Sequence, residues 1–332
     1  MKIIVDGMGG DKGYKEVVKG CVDATKQLGV DIVIVGQEEK IKDELTKYEY
    51  SQDKIEILNA DEVITNDEEP ALAIRRKKNS SIVVGLKALS ENRGDGFISA
   101  GSTGAILAGG LFIVKRIEGI ERAAIATVYP TLKGISLLID AGANVDSKPE
   151  YLLQFAIMGS IYCEKILGKT SPKVGLVNVG TEEGKGNSLV KDAYNLIKES
   201  NLNFIGNIEA RDIPNGIADV IVSDGFVGNV ILKLTEGMAV SIFTKLKEEI
   251  NKSYKSKIGA LMLKPQLKSF VKMMDYREYG GAPLLGLKKP VIKAHGSSDS
   301  IAITNAIKQV KNFVDKNVIN LIEEDINKNT RI

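Results

Sequence analysis

The chain has 332 residues, with 45 lysines and arginines against 43 aspartates and glutamates, a single histidine and two cysteines. A formal charge of +2 leaves no basic footprint for nucleic acid, and one imidazole with two thiols argues against both a zinc site and a disulfide framework. A hydrophobic share of 43% with 27% charged residues is that of a globular protein large enough to bury a sizeable core.

In chain order, short β-branched runs alternate with longer amphipathic ones. A strand over 3–5 enters Asp6-Gly-Met-Gly-Gly-Asp11 and then a helix over 13–27. This start reads as a strand and not as a signal peptide, because no apolar h-region follows it. Strands over 31–35 and 54–58 flank a helix over 37–47, and a helix over 81–91 precedes a strand over 96–99. The loop Ser99-Ala-Gly-Ser-Thr-Gly104 then opens a helix over 103–114. Runs 123–128 and 135–139 read as a hairpin, followed by a helix over 149–167. Strand 173–177, helix 188–199, strands 203–206 and 220–222, and a long helix over 226–254 come next. Strand 291–293 and helix 297–324 complete the series.

This alternation predicts a single α/β domain over 1–332, built as three α/β/α layers around a mostly parallel, doubly wound sheet. Cys21 and Cys163 fall within helices, as buried small hydrophobes of a reducing compartment. No continuous run reaches the ~18 apolar residues of a membrane span. The expected location is therefore cytoplasmic. The first loop resembles a dinucleotide turn, but its glycines at 7, 9, 10 and 13 do not follow G-x-G-x-x-G, so no nucleotide cofactor is expected.

Ligands of such sheets sit beyond the carboxyl ends of the strands. Five glycine-rich loops are expected to converge there, at 6–11, 99–104, 178–187, 223–229 and 294–299. In the second, Ser102 and Thr103 precede a helix, and Gly101 and Gly104 let the backbone approach an anion. The pattern suits phosphate, and a plain helix cap uses the same residues. Asp6, Gly9 and Gly10 of the first loop extend this substrate-binding set, as does Ser297 beside the histidine. Lys185, between Gly184 and Gly186, is placed either to neutralise an anion or as a solvated lysine. Asp224 and Asn229 bracket the turn before the long helix, where they orient substrate or, for Asp224, cap the helix. Asp140 and Asn144 pose the same choice. His295 stands at a strand-to-helix turn, where an imidazole moves protons near neutral pH. No G-x-S-x-G elbow occurs, so a covalent serine is not supported. Direct attack by a bound anion needs positioning, oxyanion donors and a proton shuttle.

Composition shifts to Lys, Met, Gly and Pro over 251–289, read as a helical amphipathic protrusion. Leu263, Leu267, Phe270, Val271 and Met274 fall on one helical stripe beside Lys264, Lys268 and Lys272. An apolar stripe flanked by cations fits a helix on an anionic membrane surface. Packing against the core or a partner subunit is the alternative.

Taken together and in order, seven motifs resemble the bacterial phosphate acyltransferase family of phospholipid synthesis. They are Val5-Asp-Gly-Met-Gly-Gly-Asp11, Ser99-Ala-Gly-Ser-Thr-Gly-Ala105, Asn178-Val-Gly-Thr-Glu-Glu183, Lys185-Gly-Asn187, Ser223-Asp-Gly-Phe-Val-Gly-Asn229, Tyr279-Gly-Gly-Ala-Pro-Leu-Leu-Gly286 and Ala294-His-Gly-Ser-Ser298. One departure is Lys12-Gly13, where the family pattern has a histidine and a small residue or proline. The resemblance implies a fold like phosphotransacetylases and the isocitrate dehydrogenase group. It implies attack of inorganic phosphate on the thioester of acyl carrier protein, giving acyl phosphate for a downstream membrane acyltransferase. It also implies a homodimer at the membrane periphery, with no metal or cofactor. Ser102, Thr103 and Gly104 would then hold phosphate. Lys185 would neutralise it, His295 would serve the oxyanion or a proton, and Asn229 and Asp224 would orient substrate. The same chemistry on coenzyme A thioesters, as in a phosphotransacetylase or phosphotransbutyrylase, is one alternative; a non-catalytic membrane scaffold is another. A decarboxylating dehydrogenase would need paired metal-binding aspartates that the sequence does not offer.

Overall fold

A computed structural model describes residues 1–267 and 279–329. Among these residues, eleven strands form one sheet. One half contains β1 (Lys2–Asp6), β2 (Asp31–Gly36), β3 (Ile55–Asn59) and β4 (Gly96–Ser99). The other contains β6 (Gly134–Ile139), β7 (Val174–Asn178), β8 (Phe204–Glu209) and β9 (Val220–Val222). β5 (Ala124–Thr131) and β10 (Ala282–Leu285) join the halves, and β11 (Val291–Lys293) belongs to the first. The spatial order is β3-β2-β1-β4-β11-β10-β5-β6-β9-β7-β8.

Within each half the strands are parallel. The joints β11–β10, β10–β5 and β5–β6 are antiparallel. Three successive reversals leave the two parallel halves running in opposite directions. The sheet is thus doubly wound twice over, and its middle is where the two windings meet.

Strand side chains alternate between faces, so each strand feeds two cores. Ile3 and Val5 of β1 join Cys21, Ile303 and Ile307 under α1 (Tyr14–Leu28) and the Ser300–Asp315 helix. Ile4 faces the other way, into Leu86, Leu89 and Phe97 beneath α4 (Ser81–Ser90). A third cluster packs Phe155, Tyr162 and Phe313 against Val220 and Val222. Helices therefore cover both faces, as the alternation predicts. Both cysteines are fully buried, which pushes the Cys163 thiol up to about 12 and Cys21 higher still.

The expected hairpin is β5–β6, longer than its periodicity indicated because Pro130 and Thr131 continue the strand. The helix expected over 297–324 is two, Ser300–Asp315 and Val318–Asn329, separated by Asn317 at φ 52. The stretch 251–289, read as a helical protrusion, needs correction at its end. Ala282–Leu285 is a strand in the middle of the sheet, with Leu284 and Leu285 buried. Its four residues include Pro283 and follow two glycines, which hid it. The short helix α3 (Pro70–Arg76) adds an element that the sequence alternation does not predict.

The long helix α8 (Gly225–Asn251) departs most from the sequence reading. Its best 18-residue window has a mean hydropathy of 1.4, yet only 11% of it is buried. By length and composition it is the one described helix able to cross a membrane, although charged and polar residues interrupt its apolar run. Phe226, Val230, Leu234, Met238, Ile242 and Leu246 recur every four residues, and all are exposed. Helix α9 (Tyr254–Met262) continues the exposed surface with Ile258, Leu261 and Met262.

Candidate active site

Three of the five glycine-rich loops meet at the carboxyl ends of β1, β4 and β11, which are adjacent and parallel. Asp6 ends β1, where it is 1% exposed. Burial raises its carboxyl above the ordinary carboxylate value, against hydrogen bonds from Ser81 and Ser99 that pull the other way. Ser99 Oγ donates to Asp6 Oδ2 at 2.5 Å and accepts the Gly101 N–H at 3.0 Å, so the first loop braces the second. The two loops touch backbone to backbone: a Cβ on Gly9 would stand 2.5 Å from the Gly101 nitrogen, and only glycine fits. The Asp11 N–H donates to the Gly296 carbonyl at 2.7 Å, which ties in the third loop. Lys12, the departure in the first loop, lies 3.8 Å from Asp299. That ion pair adds a second tie between the same loops.

Beside this junction lies a pocket of about 200 Å³ at the meeting of the two windings. Thr103, Lys293, His295 and Asn229 supply its polar lining, and Ile125, Val128, Ala141 and Leu232 its apolar wall. Lys233, Glu236 and the glycines at 280 and 281 also border it. Asn229, the fifth residue of α8, packs over Gly142 in the loop after β6. That loop is built around Asp140, whose carboxylate accepts N–H groups from Ile125, Gly142, Ala143 and Asn144. Burial raises its pKa, opposed by those same bonds. Asp140 and Asn144 therefore close a turn that forms one wall of the pocket.

His295 sits at the rim. Its Nδ1 lies 2.8 Å from Ser297 Oγ and accepts the Ser297 N–H at 3.2 Å. An accepting Nδ1 leaves the neutral ring with its proton on Nε2. Partial burial lowers the imidazole pKa below 6.5, so that neutral form prevails near pH 7. A neutral ring that carries its proton on Nε2 is chemically able to donate a hydrogen bond to developing negative charge.

The structure brings Thr103, Asn229 and His295 of the sequence-selected residues into this pocket. Ser102, almost fully buried, accepts the Ala105 N–H as a helix cap, one of the two uses the sequence allows. Gly104 packs on the Pro70 ring. Asp224 caps α8, accepting the Phe226 and Val227 N–H groups at 2.9 Å, and borders a neighbouring depression with Asn187. Lys185 is not among the pocket-lining residues. Its loop follows β7 in the opposite winding, and its carbonyl accepts Asn178 Nδ2 at 3.0 Å. Strand β7 is separated from the middle of the sheet by β6 and β9, and of these strands' loops the one after β9 reaches the pocket with Asn229. Lys293 was not selected, although a charged residue ending a buried strand run, Val291-Ile292, was the available signal. Of the expected membrane-facing residues, Leu263 and Lys264 are exposed and Leu267 is half-buried. Lys268, Phe270, Val271 and Met274 lie outside the described residues.

Residues 1–321 match the family described as "Fatty acid synthesis protein". A phosphate acyltransferase from Alkaliphilus oremlandii is 57% identical over 326 residues, 98% of this chain and 97% of that relative. Another from Halothermothrix orenii is 52% identical over 331 residues, 99% of both. The chain belongs to the phosphate acyltransferase family. Its chemistry is acyl transfer. The fold agrees: a phosphotransacetylase from Streptococcus pyogenes superposes with a TM-score of 0.65 at 18% identity, over 96% of this chain and 94% of that one. A phosphotransacetylase from Staphylococcus aureus gives 0.61, also at 18% identity, over 94% of each chain. In this acyltransferase the three braced loops and the pocket beside them are the candidate site.

Proposed function

We propose that this acyltransferase moves a long-chain acyl group from the thioester of an acyl carrier protein to inorganic phosphate. The acyl phosphate released then feeds phosphatidic acid synthesis through a membrane acyltransferase. The observation that carries this reading is a pocket lined both by Thr103, Lys293 and His295 and by the apolar Ile125, Val128 and Leu232. The polar groups suit an anion and the apolar ones an acyl chain.

A phosphate oxygen attacks the thioester carbonyl carbon, and the carbonyl oxygen takes up the negative charge. His295 Nε2–H donates to that oxygen. The C–S bond then breaks, and the thiolate leaves with the electron pair and takes its proton from solvent. Phosphate is itself the nucleophile, and a thiolate is a good leaving group, so the site needs position and donors more than a strong general base.

The exposed face of α8 and α9 supports two further parts of the proposal. The exposed apolar side chains along α8, Leu234 and Met238 among them, suit a second copy of the chain, forming a homodimer. The exposed apolar residues Leu261, Met262 and Leu263, next to Lys264 in sequence, suit a peripheral contact with an anionic membrane from the cytoplasmic side. The test is phosphate-dependent thiol release from acyl carrier protein against acyl coenzyme A. A clear preference for the carrier protein is expected. A preference for coenzyme A would make this a phosphotransacylase of the soluble type, and release from neither would leave a scaffold.

A further inference from the structure

We propose that Lys293 is the cation that binds the phosphate, a role that rests on the acyl-transfer reading of the pocket. Lys293 is the last residue of β11, and its backbone is fixed in register between Ser99 of β4 and Ala282 of β10. The side chain is half-buried and enters the pocket lined also by Thr103 and His295. Its ammonium donates to the Ala294 carbonyl, and no carboxylate among the described residues pairs with it. A desolvated ammonium with a neutral partner is a charge waiting for an anion.

The other cations near the site are less suited. Lys233 of α8 is paired with Glu236 at 2.8 Å, so its charge is largely met. Lys12 is paired with Asp299. Lys185 lies outside the pocket lining. Among the described residues, the charged and titratable groups around Lys293 are Asp11 and Asp6 from the first loop, His295 beside it, Lys233 and Glu236 from α8, and Tyr279 of the pocket lining. Asp11 and Asp6 favour its charged form and Lys233 opposes it, while burial dominates and brings its pKa down to about 8. The ammonium is charged below that value and neutral above it. Phosphate capture by the free enzyme therefore weakens as pH rises through about 8, and the limb belongs to kcat/KM for phosphate.

The test combines Lys293→Met and Lys293→Arg with direct binding of inorganic phosphate, followed by calorimetry. Lys293→Met is expected to lower kcat/KM for phosphate by about 10²-fold while the KM for the acyl thioester stays within about threefold. Lys293→Arg is expected to recover most of the loss and to move the alkaline limb upward, because a guanidinium stays charged. Unchanged phosphate affinity in a folded Lys293→Met protein would overturn the assignment. If that variant does not fold, the wild-type and Lys293→Arg pH profiles decide: the same alkaline limb in both would also overturn it. The calorimetric binding of phosphate separates this assignment from the reaction. A wild type that makes no acyl phosphate yet binds phosphate through Lys293 would overturn the function and keep the site.

Discussion

Ser99 and Asp6, 93 positions apart in sequence, are joined by a 2.5 Å hydrogen bond between hydroxyl and carboxylate at the ends of adjacent strands. The same Ser99 oxygen accepts the Gly101 N–H, so one hydroxyl sets the spacing between the first two loops of the site. Ser99→Ala leaves a buried carboxylate short of a donor. It is expected to cost about 1–3 kcal/mol of stability. It is also expected to lower turnover by about tenfold or more, through displacement of the Gly101 loop. Denaturant unfolding and steady-state kinetics check the two parts. Full turnover in a destabilised Ser99→Ala protein would restrict the pair to a folding role.

Two glycines of α8 make opposite predictions. A Cβ on Gly228 would lie 1.9 Å from the Asp140 carbonyl oxygen, and that oxygen belongs to the backbone that shapes the pocket. Gly228→Ala should destabilise by about 3 kcal/mol or prevent folding. A Cβ on Gly237 meets nothing within 4 Å. Gly237→Ala should stabilise by about 0.5–1 kcal/mol, because alanine has less freedom to lose in a helix. Thermal melts of both variants give the comparison. Equal effects would mean that α8 is not packed over Asp140.

For His295 the prediction concerns both identity and pH. Gln presents an N–H at about the place of Nε2, so His295→Gln should keep more turnover than His295→Ala, which should lose about 10²-fold or more. The imidazole pKa is depressed below 6.5, so activity should hold to that pH and fall only below it, as Nδ1 is protonated and loses the Ser297 N–H. The stability contribution has the same sign. It is complete above the ordinary value of 6.5 and is lost as pH falls through the depressed one. An acid limb in kcat/KM above pH 6.5 would contradict the neutral-donor role.

The exposed stripe of α8 is open to a change of charge. Leu234→Glu with Met238→Glu should convert a dimer to monomers in light scattering while leaving the monomer fold intact by circular dichroism. Leu261→Glu with Met262→Glu should instead reduce binding to vesicles containing anionic lipid and leave the dimer unchanged. A variant pair that moves both readouts together would show that one surface serves both contacts.

The layers, the hairpin and most elements were legible in the sequence because periods of two and of about 3.6 residues record which face is buried. Strand order leaves no such record. Nothing in the local pattern of 174–178 states that its strand lies beyond β6 and β9 in the sheet, so that the loop after β9 brings Asn229 to the pocket lined by His295 and the loop after β7 does not bring Lys185. Strand β10 was hidden because its buried leucines follow Gly280, Gly281 and Pro283, the residues that ordinarily punctuate loops. Lys293 was hidden because a lysine ending a strand is ordinarily solvated. Its partial burial comes from the junction with β10 and from α8, both distant in sequence. The α8 stripe was present as an interval of four from Phe226 to Leu246, and a buried amphipathic helix shows the same interval.

The most direct measurement is the phosphorus NMR spectrum of the purified protein incubated with a long-chain acyl thioester of acyl carrier protein and inorganic phosphate. The account predicts a new acyl phosphate resonance. Its area should match the free carrier-protein thiol one for one, and it should be absent without phosphate. Thiol release with no such resonance, the phosphate signal remaining unchanged, would mean that water and not phosphate attacks the acyl carbon, and the account would fail.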